Sequence, residues 1–539
     1  MLGRMMSFPL TLTHFLDRAA ALFAETEIVA VRPDKTRHRT TYGATVARAA
    51  RLANLLTRLG VKPGDRVATL CWNHEAHLEA YLAVPAMGAV VHTLNLRLHP
   101  TEIGYIAKHA GDSVVIVDKS LLGLFDKFKA DVPSLRHVSV VPDAGPAPEG
   151  MLDYEVELAK ESDTFAYPTL DENQAAMICY TSGTTGNPKG VVYSHRSTVL
   201  HAMAACMTDG LAVSERDNIL PVVPMFHAAA WGVPYAAVLA GSKLVFPGPH
   251  LDPQSLVSLM EDEKVTLAAG VPTIWIGILA LLDKDPKAFD LSTIRSMVIG
   301  GSAAPPSLIT GFAERHGLHV THAWGMTETN PLGTLARLRR GMESLDPAAQ
   351  LEKRASQGYA VAFVETRHVS ESGQVLPRDG KTMGELEARG PWVAASYFGD
   401  EGPDRFTKDG WFKTGDVVTI DAHGYVKITD RSKDVIKSGG EWISSVALEN
   451  ALMSHPAVLE AAVFAGRHEK WDERPIAAIV LREGASATDA ELTAHLATSF
   501  AKYWLPDAYV TVAQIPRTST GKFLKSKLRE LYGEMLIAK

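Results

Sequence analysis

The chain has 539 residues, of which 46% are apolar and 21% charged, and its formal net charge is −7. This length exceeds what one hydrophobic core usually organises, so at least two domains are expected. Because lysine and arginine are interspersed with acidic residues and form no basic stripe, nucleic acid is not an expected partner.

The three cysteines, Cys71, Cys179 and Cys206, are widely spaced and form no C-x-x-C pair that could hold a metal or exchange disulfides. We interpret them as reduced thiols of a cytoplasmic protein. Apolar residues at helical spacing over 12–23 predict an amphipathic helix and no signal peptide. The longest apolar run, 266–282, is shorter than the roughly 20 residues that a bilayer requires, so no membrane span is predicted.

Short β-branched runs alternate with helical stretches over most of the chain, which predicts parallel sheets covered by helices. The predicted strands of this part are 66–71, 89–94, 113–117, 175–180, 243–246, 266–270, 296–300 and 319–323, with helices at 75–87 and near 100–110. After about residue 355, short strands at 384–389 and 417–421 with glycine turns indicate a β-rich subdomain.

From residue 430 the pattern changes to a compact α+β module. Its predicted helices are 446–453, 489–500 and 524–532, and its predicted strands are 459–466 and 476–481. The segment TDRSKDVIKSGG at its start is charged and ends in glycines, as a hinge requires. The predicted fold is therefore α/β, with a large N-terminal domain of layered sheets plus the β-rich subdomain (1–429), and a small, mobile α+β C-terminal lid domain (430–539) hinged around 430–433.

The strongest local signal is the segment 180–190, which reads YTSGTTGNPKG and follows an apolar strand. Its glycines let the backbone approach a ligand, and successive N–H groups in such a loop form an anion-binding concavity. It does not fit the Walker A pattern, and a flexible surface turn is the alternative interpretation. The candidate phosphate-binding residues are Thr181, Ser182, Gly183, Thr184, Thr185, Gly186 and Lys189.

This loop resembles the signature loop of the adenylate-forming superfamily, which includes acyl-CoA synthetases, peptide-synthetase adenylation domains and luciferases. Five further segments resemble that family in the same order, so the similarity covers the whole chain. It implies an ATP-dependent acid–CoA ligase that forms an acyl-adenylate and then transfers the acyl group to coenzyme A. The implied partners are a small carboxylic acid, ATP and coenzyme A, and the implied cofactor is Mg²⁺.

The resemblance implies an acyl pocket built from two segments, PVVPMFHAAAW (221–231) and IGGSAAP (299–305). A histidine near the acyl carboxylate and a gating tryptophan are implied there, although a core histidine or tryptophan and a plain strand-to-helix turn are the alternatives. The implied acyl-pocket residues are Phe226, His227, Trp231, Gly301, Gly325 and Pro331. Gly301, Ser302 and Ala303 would also line the adenine.

The segment AWGMTET (323–329) resembles the family motif whose threonine contacts the α-phosphate and whose glutamate holds Mg²⁺. These roles would fall on Thr327 and Glu328, with Thr184 as a second residue at the metal site. A hard cation prefers carboxylate and phosphate oxygens and neutralises the departing pyrophosphate. Further nucleotide-binding residues implied by this motif are Trp324, Gly325 and Met326.

WFKTGD (411–416) and the pair at 430–431 resemble the ribose-binding elements, in which Asp416 accepts hydrogen bonds from the sugar and Arg431 donates to it. Asp430 and Lys433 match the hinge. The segment KSGGEW that follows would meet first the phosphates and later the pantetheine arm. Its implied residues are Lys437 and Trp442 for the nucleotide and Lys437, Ser438, Gly439 and Gly440 for coenzyme A.

PRTSTGKFLK (516–525) resembles the loop that carries the catalytic lysine, here Lys522. Its ammonium would bring the substrate carboxylate and the α-phosphate together, and would also contact the nucleotide. The implied catalytic set is Lys522, His227, Glu328 and Thr327. Rotation of the lid would then exchange Lys522 for the Gly439–Gly440 face in the second step.

The start of the chain, its length and the HAAAW segment resemble 3-methylmercaptopropionate–CoA ligases, and medium- or long-chain fatty acid–CoA ligases are the alternative. A luciferase or a peptide-synthetase module shares the first half-reaction, but no carrier domain follows Lys522. A catalytically dead nucleotide-binding regulator is the alternative of a different class, although Glu328, Asp416, Arg431 and Lys522 are all present. The sequence does not fix the oligomeric state, and a homodimer is one expectation.

Overall fold

The structure is a computed structural model that describes residues 1, 3–181, 187–431, 434–438, 441–517 and 523–537. For residues 431, 441 and 442 it describes the backbone alone.

Strands and helices alternate through the described residues. The strands are β1 Glu27–Val31, β2 Arg37–Thr41, β3 Arg66–Leu70, β4 Val90–Thr93, β5 Asp112–Asp118, β6 His137–Val141, β7 Leu152–Asp153, β8 Ala175–Tyr180, β9 Gly190–Ser194, β10 Asn218–Pro221, β11 Lys243–Phe246, β12 Leu267–Gly270, β13 Ser296–Ile299, β14 Val320–Gly325, β15 Leu332–Leu335, β16 Tyr359–Ala360, β17 Glu365–Val369, β18 Gly384–Arg389, β19 Phe412–Ile420, β20 Val426–Arg431, β21 Ile436–Ser438, β22 Glu441–Ile443, β23 Val458–His468, β24 Asp472–Leu481 and β25 Ala508–Thr511. The α-helices are α1 Thr13–Leu22, α2 Tyr42–Arg58, α3 Glu75–Ala86, α4 Pro100–Ala110, α5 Leu122–Phe125, α6 Tyr154–Leu158, α7 His195–Cys206, α8 Val233–Ala240, α9 Pro253–Asp262, α10 Pro272–Lys284, α11 Pro306–His316, α12 Pro347–Ala355, α13 Ser445–Met453, α14 Asp489–Ala497 and α15 Lys525–Tyr532.

Two large sheets form the body of the molecule. The first has nine strands in the order β16-β15-β14-β13-β12-β10-β11-β1-β2, and the strands from β14 to β1 run parallel. The second has seven strands in the order β7-β6-β5-β3-β4-β8-β9 and is parallel except for the β8–β9 hairpin. The predicted parallel sheets are therefore confirmed, and they are two separate sheets.

Helix α3 lies between the two sheets. All of its residues are buried, and it contacts β1 of the nine-stranded sheet and β4 and β8 of the seven-stranded sheet. A helix that is covered on every side is predominantly apolar all round, as α3 is. This shared helix joins the two sheets through one continuous core.

The remaining strands form two smaller sheets. The antiparallel sheet β17-β18-β19-β20 is the predicted β-rich subdomain, with a core that includes Leu386, Val418 and Trp324. The C-terminal sheet pairs β24 with β21, β23 and β25. Its strand residues alternate between two faces, one covered by α13 and α14 and the other by α15. The fold is thus a large sheet domain followed by a small α+β domain, as predicted, whereas the boundary at 429/430 stays a prediction.

The cysteines and the long apolar run can be compared with the structure directly. The three cysteines are free, with Cys71 and Cys179 buried and Cys206 partly buried. Among the helices that the structure describes, none has the length and apolarity needed to cross a membrane. The long apolar run 266–282 is divided between β12 and α10, because Pro272 starts the helix.

Candidate functional site

The stem of the phosphate loop is a strand pair closed by its own backbone. In the β8–β9 hairpin Tyr180 lies opposite Gly190. The Thr181 amide donates to the Lys189 carbonyl at 2.9 Å, and the Lys189 amide donates to Thr181 Oγ1 at 3.1 Å. Both ends of the loop are therefore held together. Five predicted phosphate-binding residues lie outside the described residues: Ser182, Gly183, Thr184, Thr185 and Gly186.

The AWGMTET motif ends β14 and continues into a short turn, where Thr327 and Glu328 are both buried. The Tyr193 hydroxyl donates to the Thr327 carbonyl at 2.6 Å, and the Tyr397 hydroxyl donates to Glu328 Oε1 at 2.6 Å. Sequence reasoning missed both tyrosines. Tyr193 follows the phosphate loop in β9, but Tyr397 is 69 residues from Glu328 and no local pattern points to it.

Both tyrosines stay protonated at neutral pH. Burial raises the pKa of Tyr397, and the charge of Glu328 raises it further. Burial likewise raises the pKa of Tyr193. Each hydroxyl is therefore a dependable donor toward the motif.

The predicted ribose pair sits on neighbouring strands, since Asp416 of β19 is opposite Arg431 of β20. Asp416 is buried, and its Oδ2 accepts a hydrogen bond from Trp324 Nε1 at 2.8 Å. The Trp324 ring is fixed from behind, because a Cβ at Gly333 would lie 2.4 Å from it. Trp324, predicted to touch the nucleotide, thus also holds the ribose carboxylate. The side chain of Arg431 lies outside the described residues.

A cavity of about 260 Å³ lies between the large domain and the C-terminal domain. Its lining from the large domain includes the predicted nucleotide residues Gly301, Ser302, Ala303, Trp324, Gly325 and Asp416. Its lining from the C-terminal domain includes Asp434, Glu449, Glu460, Arg517, Phe523 and Lys525. The structure therefore brings six predicted residues to one cleft.

The predicted catalytic loop starts and ends at this cavity. Arg517 and Phe523 form a backbone bridge across residues 518–522, and both line the cavity. Lys522 itself, like the predicted hinge residue Lys433 and the pair Gly439 and Gly440, lies outside the described residues.

A buried charge cluster on the C-terminal domain faces the same cavity. Lys525 Nζ lies 2.7 Å from Glu449 Oε1 and 2.5 Å from Ser445 Oγ, and the Ser445 amide donates to Asp430 Oδ2 at 2.6 Å. Burial raises the pKa of Glu449 to about 7. Burial by itself lowers the pKa of Lys525, but the charges of Glu449 and Asp430 outweigh it and hold that pKa above its usual value. Sequence reasoning named Asp430 but missed Lys525 and Glu449.

The segment that leads to His227 is clamped by a buried asparagine. Asn73 Nδ2 donates to the carbonyls of Pro221 and Val223, each at 2.9 Å, and Asn73 Oδ1 accepts from the Met225 amide at 2.7 Å. These bonds connect the segment that follows β3 of the seven-stranded sheet to the end of β10 in the nine-stranded sheet and to the residues after it. Asn73 was missed, although a polar residue at the carboxyl end of a parallel strand is a signal for such a site.

The predicted acyl residues continue into a left-handed turn. From Ala228 to Gly232 every φ is positive, between 36° and 69°. Four of these five residues are not glycine, and this conformation is unfavourable for L-residues. The turn places the Trp231 ring against the backbone of the IGGSAAP segment. A Cβ at Gly300 of that segment would lie 3.1 Å from the ring. The two predicted acyl segments therefore meet, with His227 half-buried beside them.

Other predicted residues occupy supporting positions. A Cβ at Gly325 would lie 2.0 Å from the Pro331 carbonyl, which also accepts from the Met326 amide at 3.2 Å, so these three residues form one close turn. Lys437 Nζ lies 3.4 Å from Glu371 Oε1, and Ser438 Oγ accepts from Arg474 at 3.1 Å. Neither Lys437 nor Ser438 lines the cavity. The side chain of Trp442 lies outside the described residues.

Comparison with known proteins provides independent evidence on the family of the chain. The family model for AMP-binding enzymes matches residues 16–398, and that for the AMP-binding enzyme C-terminal domain matches residues 447–522. The chain is 51% identical, over 98% of its length and 96% of the relative, to a long-chain-fatty-acid–CoA ligase of Thermus thermophilus. It is 45% identical, over 99% of its length and 100% of the relative, to a 3-methylmercaptopropionyl-CoA ligase of Ruegeria lacuscaerulensis.

Among solved structures, an anthranilate CoA ligase in complex with anthranoyl-AMP superposes with a TM-score of 0.87 at 26% identity, covering 99% of each chain. The fold, the sequence of motifs and the full-length relatives agree. The chain therefore belongs to the AMP-binding enzymes of the adenylate-forming superfamily and is an AMP-forming acyl-CoA synthetase, with ATP and coenzyme A as co-substrates.

Proposed function

We propose that this acyl-CoA synthetase activates an aliphatic carboxylic acid with an unbranched apolar chain, and that the cleft between its two domains holds the acyl-adenylate. One observation carries the proposal: Gly301, Trp324 and Asp416 share a cavity with Phe523, the residue next to Lys522. The nucleotide residues and the catalytic loop are thus close enough to act on one ligand.

In this proposal the nucleotide binds across the large domain. Gly301, Ser302 and Ala303 face the adenine, because residues without large side chains leave room for a flat ring. Asp416 accepts hydrogen bonds from the ribose hydroxyls, and Trp324 keeps its carboxylate in place. The loop between Thr181 and Lys189 receives the phosphates through its backbone amides.

The donor set of the turn after β14 fits Mg²⁺. Glu328 is a buried carboxylate whose hydrogen-bond donor is a neutral tyrosine, and within the described residues no lysine or arginine forms an ion pair with it. Such a carboxylate, together with phosphate oxygens and the Thr184 hydroxyl, suits a hard cation. When bound, Mg²⁺ supplies charge neutralisation at the phosphates.

In the first half-reaction the substrate carboxylate attacks the α-phosphorus of ATP, and the bond to pyrophosphate breaks. Lys522 holds the two anionic reactants together, and Thr327 contacts the α-phosphate. His227 lies beside the acyl carboxylate and orients it. The product is an acyl-adenylate, whose AMP is a good leaving group.

In the second half-reaction the thiol of coenzyme A attacks the acyl carbonyl and AMP departs. Thiols ionise appreciably near neutral pH, so a protein base is not required. The C-terminal domain acts as a lid that turns about the hinge at Asp430 and Lys433. The face formed by Lys437, Ser438, Gly439 and Gly440 then replaces Lys522 beside the pantetheine arm.

The type of acyl chain is proposed from the packing of the Trp231 ring close to Gly300 and Gly301, which places an apolar side chain beside these glycines. Of two relatives with full-length similarity, one is named for a long-chain fatty acid and the other for 3-methylmercaptopropionyl-CoA. The resemblance favours 3-methylmercaptopropionate, whereas the relative with the higher identity favours a longer chain. A cytoplasmic location and a homodimer stay predictions.

The test is an assay of AMP and pyrophosphate release with 3-methylmercaptopropionate, butyrate, octanoate and palmitate, each with and without coenzyme A. We expect acid-dependent release with at least one of them and a preference of at least tenfold in kcat/KM. Benzoate serves as the control acid, since its ring is neither flexible nor linear. Equal use of benzoate and all four acids would contradict the proposed chain, and no AMP from any acid would contradict the activity.

A further inference from the structure

The segment that follows β18 forms two hydrogen bonds with Glu328, one from Ala394 and one from Tyr397. The Ala394 amide donates to the Glu328 carbonyl at 2.7 Å, and the Tyr397 hydroxyl donates to Glu328 Oε1 at 2.6 Å. Both Tyr397 and Glu328 are about 95% buried, with exposed fractions of 4% and 5%. The backbone and the carboxylate of Glu328 are therefore fixed by one neighbouring segment.

The hydrogen bond from Tyr397 occupies one carboxylate oxygen and leaves the other, Oε2, for a further partner. The phenol of Tyr397 is an uncharged donor, so its hydrogen bond orients Glu328 without adding a positive charge beside it. A lysine in the same place would neutralise the charge of Glu328. A neutral donor orients the carboxylate and preserves its attraction for a cation.

The same tyrosine also contacts the cation of the phosphate loop. Lys189 Nζ lies 5.7 Å from the centroid of the Tyr397 ring, within the range of a cation–π interaction. The stem of Lys189 passes close to Gly402, where a Cβ would lie 3.1 Å from Lys189 Cε. Tyr397 therefore touches both the basic residue of the phosphate loop and the acidic residue proposed for the metal.

We propose that Tyr397 is a positioning residue for metal-bound ATP: its hydroxyl orients Glu328 toward the divalent cation, and its ring places Lys189 beside the phosphates. This rests on the proposed function, in which Glu328 holds the metal. Tyr397 touches neither substrate nor metal itself and acts through these two side chains.

A purely structural role is the competing explanation, and the chain offers a matched control for it. Tyr154 is fully buried and donates to the buried Glu79 Oε2, also at 2.6 Å. Tyr154 and Glu79 lie in the interior near α2. Arg48 forms an ion pair with Glu79 and neutralises its charge. Replacing either tyrosine by phenylalanine removes the same group from the same kind of bond, but only Tyr397 adjoins the phosphate loop.

The experiment measures Mn²⁺ binding to the full-length protein with α,β-methylene-ATP, following free Mn²⁺ by electron paramagnetic resonance. Tyr397→Phe is expected to weaken Mn²⁺ binding 10- to 100-fold, the usual effect of losing a partner behind a metal ligand. The Mg²⁺ concentration for half-maximal activity should rise in parallel, with the KM for the acid unchanged. Tyr154→Phe should bind Mn²⁺ within twofold of the wild type.

Binding of AMP without metal reports whether the cleft is intact, and it should be unchanged in Tyr397→Phe. If Tyr397→Phe loses AMP binding as well, or keeps wild-type Mn²⁺ binding, the proposal is overturned. Glu328→Gln separates the two levels of inference. If Glu328→Gln weakens Mn²⁺ binding and Tyr397→Phe does not, the inference about Tyr397 fails alone. If neither does, the metal assignment of the proposed function fails with it.

Discussion

Glu328 in the large domain and Glu449 in the C-terminal domain are both buried glutamates, but their partners differ. Glu449 accepts from the ammonium of Lys525, which lies in the same domain. Glu328 accepts from the phenol of Tyr397, which carries no charge. The charge of Glu449 is compensated within the protein, and its ion pair connects α13 to the first residue of α15. The charge of Glu328 is left for a ligand, which is why Glu328 and not Glu449 belongs to the proposed metal site.

The largest expected effect is a loss of stability when the ion pair between Lys525 and Glu449 is broken. Lys525→Met leaves Glu449 buried without its cation. Breaking a buried ion pair in this way lowers the free energy of unfolding by about 3–5 kcal/mol. Chemical unfolding of the full chain should show this loss in the C-terminal transition. The double variant Lys525→Met/Glu449→Leu serves as the control and should recover most of it. A loss below about 1 kcal/mol in the single variant would show that the pair does not stabilise the domain.

The catalytic lysine three residues earlier should behave in the opposite way. Lys522→Ala is expected to slow acyl-adenylate formation about 10²-fold or more, by analogy with removing a transition-state donor, and to leave the free energy of unfolding unchanged. Thioester formation from supplied acyl-adenylate should survive. Single-turnover assays of each half-reaction provide the measurement. Equal loss of both half-reactions would contradict the proposed division of roles between the two faces of the lid.

The ribose carboxylate extends the comparison to aspartates. Asp416 lines the cavity and accepts a hydrogen bond from Trp324, whereas the buried Asp217 pairs with Arg295 at 2.7 Å and does not line the cavity. Asp416→Asn should raise the KM for ATP about 10- to 100-fold, because a hydrogen bond to a charged group contributes about 1.5–3 kcal/mol. Asp217→Asn should lower the melting temperature and leave that KM unchanged. If both variants altered the KM alike, a position in the cavity would not distinguish ligand-binding from structural aspartates.

Buried histidines show the smallest effect, and it depends on pH. Burial lowers the pKa of His201 from 6.5 to about 3, and this ring accepts from the Leu332 amide. Between these values the unfolded chain binds a proton that the folded chain does not. His201 therefore contributes a loss of stability as pH falls below about 6.5, at up to about 1.4 kcal/mol per pH unit.

His201→Gln removes this titration and can still accept the hydrogen bond. Urea unfolding at pH 7 and pH 5 should show a smaller acid-dependent loss in the variant than in the wild type. Gln254→Asn, at an exposed residue whose side chain does not titrate, is the control and should leave the slope unchanged. Identical slopes in the wild type and His201→Gln would contradict the assignment.

Much of the fold followed from local pattern. Helix α4 begins and ends where it was predicted, because His99 caps its start and Gly111 adopts a left-handed conformation at its end. The predicted strand at 417–421 instead begins at Phe412. The polar residues before position 417 were not part of the predicted strand. In the structure the Thr414 hydroxyl donates to the Leu386 carbonyl at 2.8 Å and Asp416 accepts from Trp324, so both residues are buried in the sheet. Tertiary hydrogen bonds made these residues compatible with a strand.

In the site, too, some residues follow from local sequence patterns and others depend on tertiary contacts. Motifs identified Gly301, Trp324 and Asp416, which share the cavity. They did not identify Tyr397 or Asn73, whose partners are 69 and about 150 residues away. Side chains that support a site from another strand leave no spacing pattern, because their position depends on the packing of the whole sheet. Motifs predict what contacts the ligand, and the structure supplies what holds those residues still.

The left-handed turn from Ala228 to Gly232 has a practical consequence for altering which acids the enzyme accepts. Branched side chains are poorly tolerated at positive φ, and Ala229 and Ala230 are buried, so libraries at these alanines would yield mostly misfolded protein. Replacing Trp231 by a residue with a smaller side chain would enlarge the space beside Gly300 and leave the buried alanines unchanged. Engineering for bulkier acids should therefore begin at that one side chain.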